Sequence, residues 1–292
     1  MRKRIAILLA AILIALLGRG LFYYRGFYSP PPSEMPDYEQ IVVPLEPSTE
    51  FSDEYERGEG TVLLDLAHDN AFDVEELNVL ISRLISRGLT IEFFGVGDDL
   101  KVELSEVDGF IVVCPQGEFT KKERETIEEF VNNGGKLLLV ADPTRPSEIN
   151  SISLRFDLIF EPGYLYNLKE NDANFRNIFI TEFKESEVTQ GLEKIALYTA
   201  GSITLANITG NIAFVDQNTF SSLIETRKEL SPMALTKESK VLAVYDLTFI
   251  TEPYNGILDN NKLISNIANW LASPAEKEKE EREEEVKSAE EV

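Results

Sequence analysis

At the N-terminus an uninterrupted apolar run, Ile5 to Leu17, stands behind Arg2, Lys3 and Arg4 and continues past Gly18, Arg19 and Gly20 to Leu21, Phe22, Tyr23 and Tyr24. A run of this length predicts a helix able to cross a bilayer. Arg19 would snorkel toward the far interface, and Phe22, Tyr23, Tyr24, Phe27 and Tyr28 would form an aromatic belt. No Ala-x-Ala site follows, so the segment reads as an uncleaved signal anchor; a signal peptide cut after Gly20 is the alternative. The basic residues ahead of the span favour a cytoplasmic N-terminus with the body of the chain outside.

Beyond it, SPPPSEMP and the acidic, Ser-containing text up to residue 60 predict a stiff stalk. The pattern then becomes short apolar runs alternating with helical spacing. TVLLDLA (61–67), LTIEFF (89–94), GFIVVCP (109–115), KLLLVAD (136–142) and KVLAVYD (240–246) read as strands, the first and last of them buried. Between the first two, Asp73 and Glu76 form a capping box ahead of Val74, Leu77, Leu80, Ile81, Leu84 and Ile85, and Gly88 closes the helix. Thr120 and Glu123 open a second helix that ends at Gly134-Gly135. A third follows Asp259, carries Leu263, Ile264, Ile267, Trp270 and Leu271, and stops at Pro274. Strands alternating with helices predict a doubly wound, mostly parallel α/β sheet. The stretch from Ser147 to Ser222 is less regular: a helix over 147–156, strands over 177–183 and 194–200, and a hairpin in SITLANITGNIAFVDQ pivoting near Gly210, all taken as additions to the sheet edge. The predicted organisation is therefore a transmembrane segment over 1–28, a stalk over 29–60, an α/β domain over 61–273 and a charged, Glu-rich tail over 274–292 that cannot bury a face of its own.

Composition narrows the chemistry. The 292 residues are 43% hydrophobic, enough for a core, and Lys+Arg 28 against Asp+Glu 51 gives a net charge of −23, which repels phosphate backbones and excludes nucleic acid as a partner. With Cys114 and His68 the only Cys and His, neither an intrachain disulfide nor a Cys/His zinc site can be assembled. No GxGxxG follows the first strand, no Gly-x-Ser-x-Gly elbow is present, and no cofactor is implied. A carboxylate cation site from Asp65, Asp142 and Asp246 is conceivable, but no spacing demands it.

The text DGFIVVCPQGEFTKKERETIEEFVNNGGKLLLVADP, preceded by LLDLAHDNAF and closed by VYDLTFITEPYNGILDNNKLISNIANWL, resembles a prokaryotic family of unknown function with a class I glutamine-amidotransferase-like domain. Its relatives include auxiliary proteins of gliding-type ABC transporters and a domain of intraflagellar-transport proteins. The resemblance covers about residues 60 to 272 and implies a flavodoxin-like, glutamine-amidotransferase-like fold. True amidotransferases carry a nucleophilic Cys on a strand-to-helix elbow, served by a distant His. The comparable text here is Asp142-Pro143-Thr144-Arg145, without Cys, and His68 follows the first strand. The resemblance thus implies the fold and argues against the activity.

In an open parallel sheet, ligands bind outside the carboxyl ends of the strands. Six residues at those ends are the candidate ligand-binding set: Asp65, His68 and Asn70 after the first strand, Gln116 after the third, Asp142 after the fourth and Asp246 after the last. The bland alternative is that these residues cap helices and close Asx-turns. If they form a working surface, Asp142→Ala or His68→Ala should weaken binding and change stability by less than about 2 kcal/mol. Tyr164, Tyr166 and Phe160 read as either an exposed aromatic surface or a packed satellite cluster, and Asn207-Ile208-Thr209 is a glycosylation sequon. The leading expectation is a membrane-anchored, extracytoplasmic, non-catalytic domain that binds a protein partner or small ligand. A hydrolase or transferase using His68 and the strand-end carboxylates, and an auxiliary transporter subunit, are the rivals.

Overall fold

A computed structural model describes residues 2–24, 46–205, 210–223 and 229–273. The tail over 274–292, most of the Pro-rich segment and the sequon at Asn207 lie outside these residues. The chain divides into two units, Met1–Pro44 and Leu45–Val292. In the first, helix α1 (Arg2–Tyr24) is 23 residues long, with a mean hydropathy of 2.5 over its most apolar stretch, and its Ile, Leu and Phe side chains are exposed. It is long and apolar enough to span a membrane.

The second unit runs β1 (Gly60–Asp65), α2 (Asn78–Ser86), β2 (Leu89–Phe94), α3 (Leu100–Glu103), β3 (Gly109–Val113), α4 (Lys121–Asn132), β4 (Lys136–Val140) and α5 (Asn150–Ser153). Short strands follow: β5 (Leu158–Phe160), β6 (Leu165–Asn167), β7 (Asn177–Ile180), β8 (Glu182–Phe183), β9 (Ile195–Tyr198), β10 (Ile203–Leu205), β11 (Asn211–Phe214), β12 (Thr219–Ser221) and β13 (Met233–Thr236). Then come β14 (Val241–Val244) and α6 (Asn260–Ala272). An 8-stranded sheet has the order β2-β1-β3-β4-β14-β13-β11-β8. Its first five strands are parallel and its last three antiparallel. The parallel part has the flavodoxin-like order, with β14 as fifth strand, so the chain direction switches between β1 and β3.

Side-chain alternation explains the layering. Val62, Leu64, Ile111, Val113, Leu138, Val140, Leu242 and Val244 point to one face, where Leu80 and Leu84 of α2 and Leu263, Ile264, Ile267 and Trp270 of α6 cover them. Leu63, Phe110, Val112, Leu137, Leu139, Val241 and Ala243 point to the other, against Ile127, Phe130 and Val131 of α4 and Ile152 and Phe156. Because both faces are covered, these strands read as continuous apolar runs, and each fully buried aliphatic contributes about 1.5–3 kcal/mol. The predicted caps form: Thr120 and Glu123 box the start of α4, and Asp73 and Glu76 box a 3-10 turn, Val74–Leu77, that leads into α2.

Three expectations change. The hairpin near Gly210 is not one: β10 pairs with β5, and β11 enters the main sheet between β13 and β8. Local alternation marks strands but does not choose partners, and buried Ile203 and Ala213 belong to different core clusters. The strand over 177–183 splits, β7 pairing with β9 and β8 with β11. The segment 46–59, assigned to the stalk, lies along the domain as a strap. Thr49 N–H donates to Leu258 O (2.9 Å), Leu258 N–H to Pro47 O (3.0 Å) and Gly58 N–H to Arg87 O (2.8 Å). Gly88, at φ +93°, follows α2, and a Cβ there would collide with the Gly58 carbonyl. Arg87 is fully buried beneath the strap. Its guanidinium pairs with Asp53 (3.0 Å), donates to Ser265 Oγ (2.8 Å) and Asn269 Oδ1 (2.6 Å), and lies 4.4 Å from the Tyr55 ring.

Candidate functional site

β1 ends in Asp65, whose side chain is fully buried at the switch point. The chain then turns through Asp69, held at φ +50°, which folds the loop back on its own strand end. Asp65 Oδ1 faces His68 Nδ1 at 2.8 Å, and Asp65 Oδ2 accepts from Asn70 Nδ2 at 3.0 Å. The same Asn70 amide donates to the Val113 carbonyl at the end of β3 (2.8 Å), and Asn70 Oδ1 accepts from His68 N–H (3.2 Å). The loop after β3 completes the unit: Gln116 and Gly117 N–H groups donate to His68 O at 3.0 and 2.8 Å, and Gln116 Nε2 donates to Asp69 O at 2.9 Å. Asp65, His68, Asn70 and Gln116 are therefore brought together, as expected from their strand ends.

The imidazole is stacked on Phe119, with ring centroids 3.7 Å apart, and its Nε2 lies 3.7 Å from Glu123 Oε1. Burial disfavours its charged form, but the hydrogen bond and charge of Asp65, joined by Glu123, prevail and raise its pKa. Glu123 moves the other way despite its partial burial, held ionised by Thr120 and by His68. An Asp–His pair of this geometry fixes the tautomer and orientation of an imidazole. Here, however, the free nitrogen meets a carboxylate instead of a hydroxyl or thiol.

Asp142 and Asp246 form a second cluster. Asp142 Oδ1 accepts from Thr144 N–H (2.8 Å) and Thr144 Oγ (2.5 Å), and Oδ2 from Leu247 N–H (3.1 Å) and Thr248 Oγ (3.3 Å). Asp246 is fully buried and accepts from Tyr198 N–H (2.6 Å) and Thr248 N–H (2.8 Å). Desolvation and the neighbouring Asp142 charge push its pKa well up. The three strand-end carboxylates thus do not converge on one point, and among the described residues no group of three or more His, Cys, Asp or Glu side chains could hold a metal ion.

Cys114 occupies an elbow directly after β3, at φ +41°, and is fully buried. Burial and the Asp142 charge push its thiol up to about 12, the opposite of what a thiolate nucleophile needs.

Several participants were hidden from sequence reasoning. Glu123 is legible as a cap, but its approach to His68 depends on tertiary packing. Phe119 reads as an ordinary core aromatic. Arg145, in the text after β4, reaches back to the Ala71 carbonyl (2.9 Å) and Glu76 (2.5 Å), tying the β1 and β4 loops together. A cleft of about 320 Å³ lies beside this edge, lined by Gly97–Lys101, Thr120, Lys122, Glu123 and Thr126. Of the aromatic residues left open above, Phe160 is buried against Tyr245, whereas Tyr164 and Tyr166 are half-buried beside Phe175 and Phe220.

No family model matches the chain, and no curated protein matches it significantly. Among solved structures it is similar to the mmIFT52 N-terminal domain, at 14% identity and a TM-score of 0.62, over 73% of this chain and 97% of that one. At this identity the likeness shows the fold alone. Two more distant likenesses are to the exo-β-1,4-mannosidase Op5Man5 from Opitutaceae bacterium strain TAV5 (13% identity, TM-score 0.39, 74% of this chain and 36% of that one) and to the glutaminase domain of Trypanosoma brucei CTPS with bound acivicin (10%, 0.36, 73% and 93%). Their TM-scores are too low to carry an argument.

Proposed function

We propose that the chain is a membrane-anchored binding domain of glutamine-amidotransferase-like fold, held outside the cell by α1. Its partner, a protein or a small ligand, docks on the loops at the carboxyl ends of β1, β3, β4 and β14. The observation that carries this reading is the engagement of every strand-end carboxylate. Asp65, Asp142 and Asp246 are buried and bonded within the fold, which organises the loops into a fixed rim and leaves Asp69, Gln116 and Glu118 exposed on it. Rigid loops on a packed sheet are where binding residues are carried at low cost in ordering entropy. The Asp65–His68 pair also supports a hydrolase reading, but the imidazole nitrogen that would serve a nucleophile faces Glu123.

A photo-crosslinking residue at position 116 or 118, in the full chain in its native membrane, should give a discrete adduct, and one at position 238 at the opposite end of the sheet should not. Equal labelling from both ends, or none from the rim, overturns the reading.

A further inference from the structure

Away from that rim, β2 forms one edge of the main sheet, and among the described residues only β1 pairs with it. The Phe94 carbonyl accepts from Leu66 N–H, so Thr90, Glu92 and Phe94 turn their main-chain groups toward β1. The alternating residues Leu89, Ile91 and Phe93 turn theirs outward. Such an edge is a template for another strand, and soluble domains normally blunt it with charge, Pro, a bulge or a cover. Phe93 on the strand is 50% exposed, and the elements adjoining it in sequence carry further exposed apolar side chains, Ile85 on α2 at 58%, Val96 in the next loop at 87% and Val102 on α3 at 53%. The exposed charges of the strand and the loop and helix after it are Glu92, Asp98 and Asp99 against Lys101.

We propose that β2 is a docking edge for an extended basic segment of another protein, one that alternates Lys or Arg with aliphatic residues and adds as a ninth strand. Main-chain pairing to Leu89, Ile91 and Phe93 supplies affinity. The aliphatic positions cover Phe93 and Ile85, and the basic positions meet Glu92 and the Asp98–Asp99 loop. A second copy of this chain fits the edge poorly, since antiparallel β2–β2 pairing would bring Glu92 near its own mate in a molecule of charge −23. The proposal stands independently of the rim described above.

The test uses the full chain in phosphatidylcholine nanodiscs at physiological salt and a labelled peptide, Lys-Val-Lys-Val-Lys-Val-Lys, read by fluorescence anisotropy. Saturable binding is expected, with Phe93→Lys weakening it at least tenfold, since it removes the apolar contact and repels the basic positions. Val96→Lys, at a nearly fully exposed loop position, should weaken it severalfold with the fold intact by circular dichroism. A peptide N-methylated at alternate amides, and the Glu-Val counterpart, should not bind. No binding, or equal binding of the N-methylated peptide, overturns the proposal. So does a dimer in sedimentation that Phe93→Lys disperses, which would assign the edge to a second copy.

Discussion

Asp142 accepts from donors on its own loop and from Leu247 and Thr248 across the sheet. Truncation would strand the buried Leu247 amide, whereas Thr144 is exposed and its amide can turn to water. Each buried donor left without a partner costs about 1–3 kcal/mol. Asp142→Ala should therefore lower stability by about 1–3 kcal/mol in urea titrations. His68 carries a different signature. Its pKa is raised in the folded state, so the stability from its charged form is complete below about pH 6.5 and is lost as pH rises through the folded value. Stability should fall through this group as pH rises above about 6.5, and His68→Gln should flatten that slope; an unchanged slope would place the titration elsewhere, the buried Asp246 being another group with a raised pKa. From the sequence, Asp65, His68, Asn70 and Gln116 were legible as neighbours because strand ends converge. Their mutual hydrogen bonding was not, because it depends on a left-handed turn at Asp69, a conformation that Asp tolerates better than most residues but does not require.

Among the elements read correctly, β1, β3, β4 and β14 have both faces buried and α4 opens on a capping box, while β2, α2 and α6 were legible from their apolar spacing alone. The strap over 46–59 escaped because it has neither period; its order comes from single contacts to α2 and α6. Asp53 is the centre of these. It faces Arg83 and Arg87, accepts from Ser265, and through them its pKa is lowered in spite of partial burial. Removing one partner of a buried pair leaves the other uncompensated, at about 3–5 kcal/mol. Since Asp53 is 32% exposed, Asp53→Ala should cost less, about 2–3 kcal/mol, and should speed hydrogen exchange at the Gly58 amide that bonds to Arg87 O. Unchanged exchange at Gly58 would mean that the strap is held by its main-chain bonds instead.

For the whole molecule, the parallel order and its switch point follow from the alternation of buried runs with capped helices, whereas the antiparallel extension β13-β11-β8 does not. Pairing between strands far apart in sequence is set by which apolar faces meet, and short strands such as Glu182–Phe183 carry too few residues to show a face. The basic flank ahead of α1 makes a statement at this scale as well. Protease added to intact cells should remove the Leu45–Val292 unit, and full protection until lysis would reverse the orientation argued from Arg2, Lys3 and Arg4.

The strap also gives the chain a mechanical property. Tension entering at residue 46 reaches the clasp at Asp53 and Arg87 before it reaches the hydrogen-bonded ladder that begins at Gly60. The bonds at Pro47, Thr49 and Gly58 follow one another along the strap, so a pull that peels it opens them in turn. Peeling the strap away would pay out roughly 50 Å of contour while the sheet stayed shut. Such a length reserve would let a tethered domain reach farther from its point of attachment under load and reel back when the load is released.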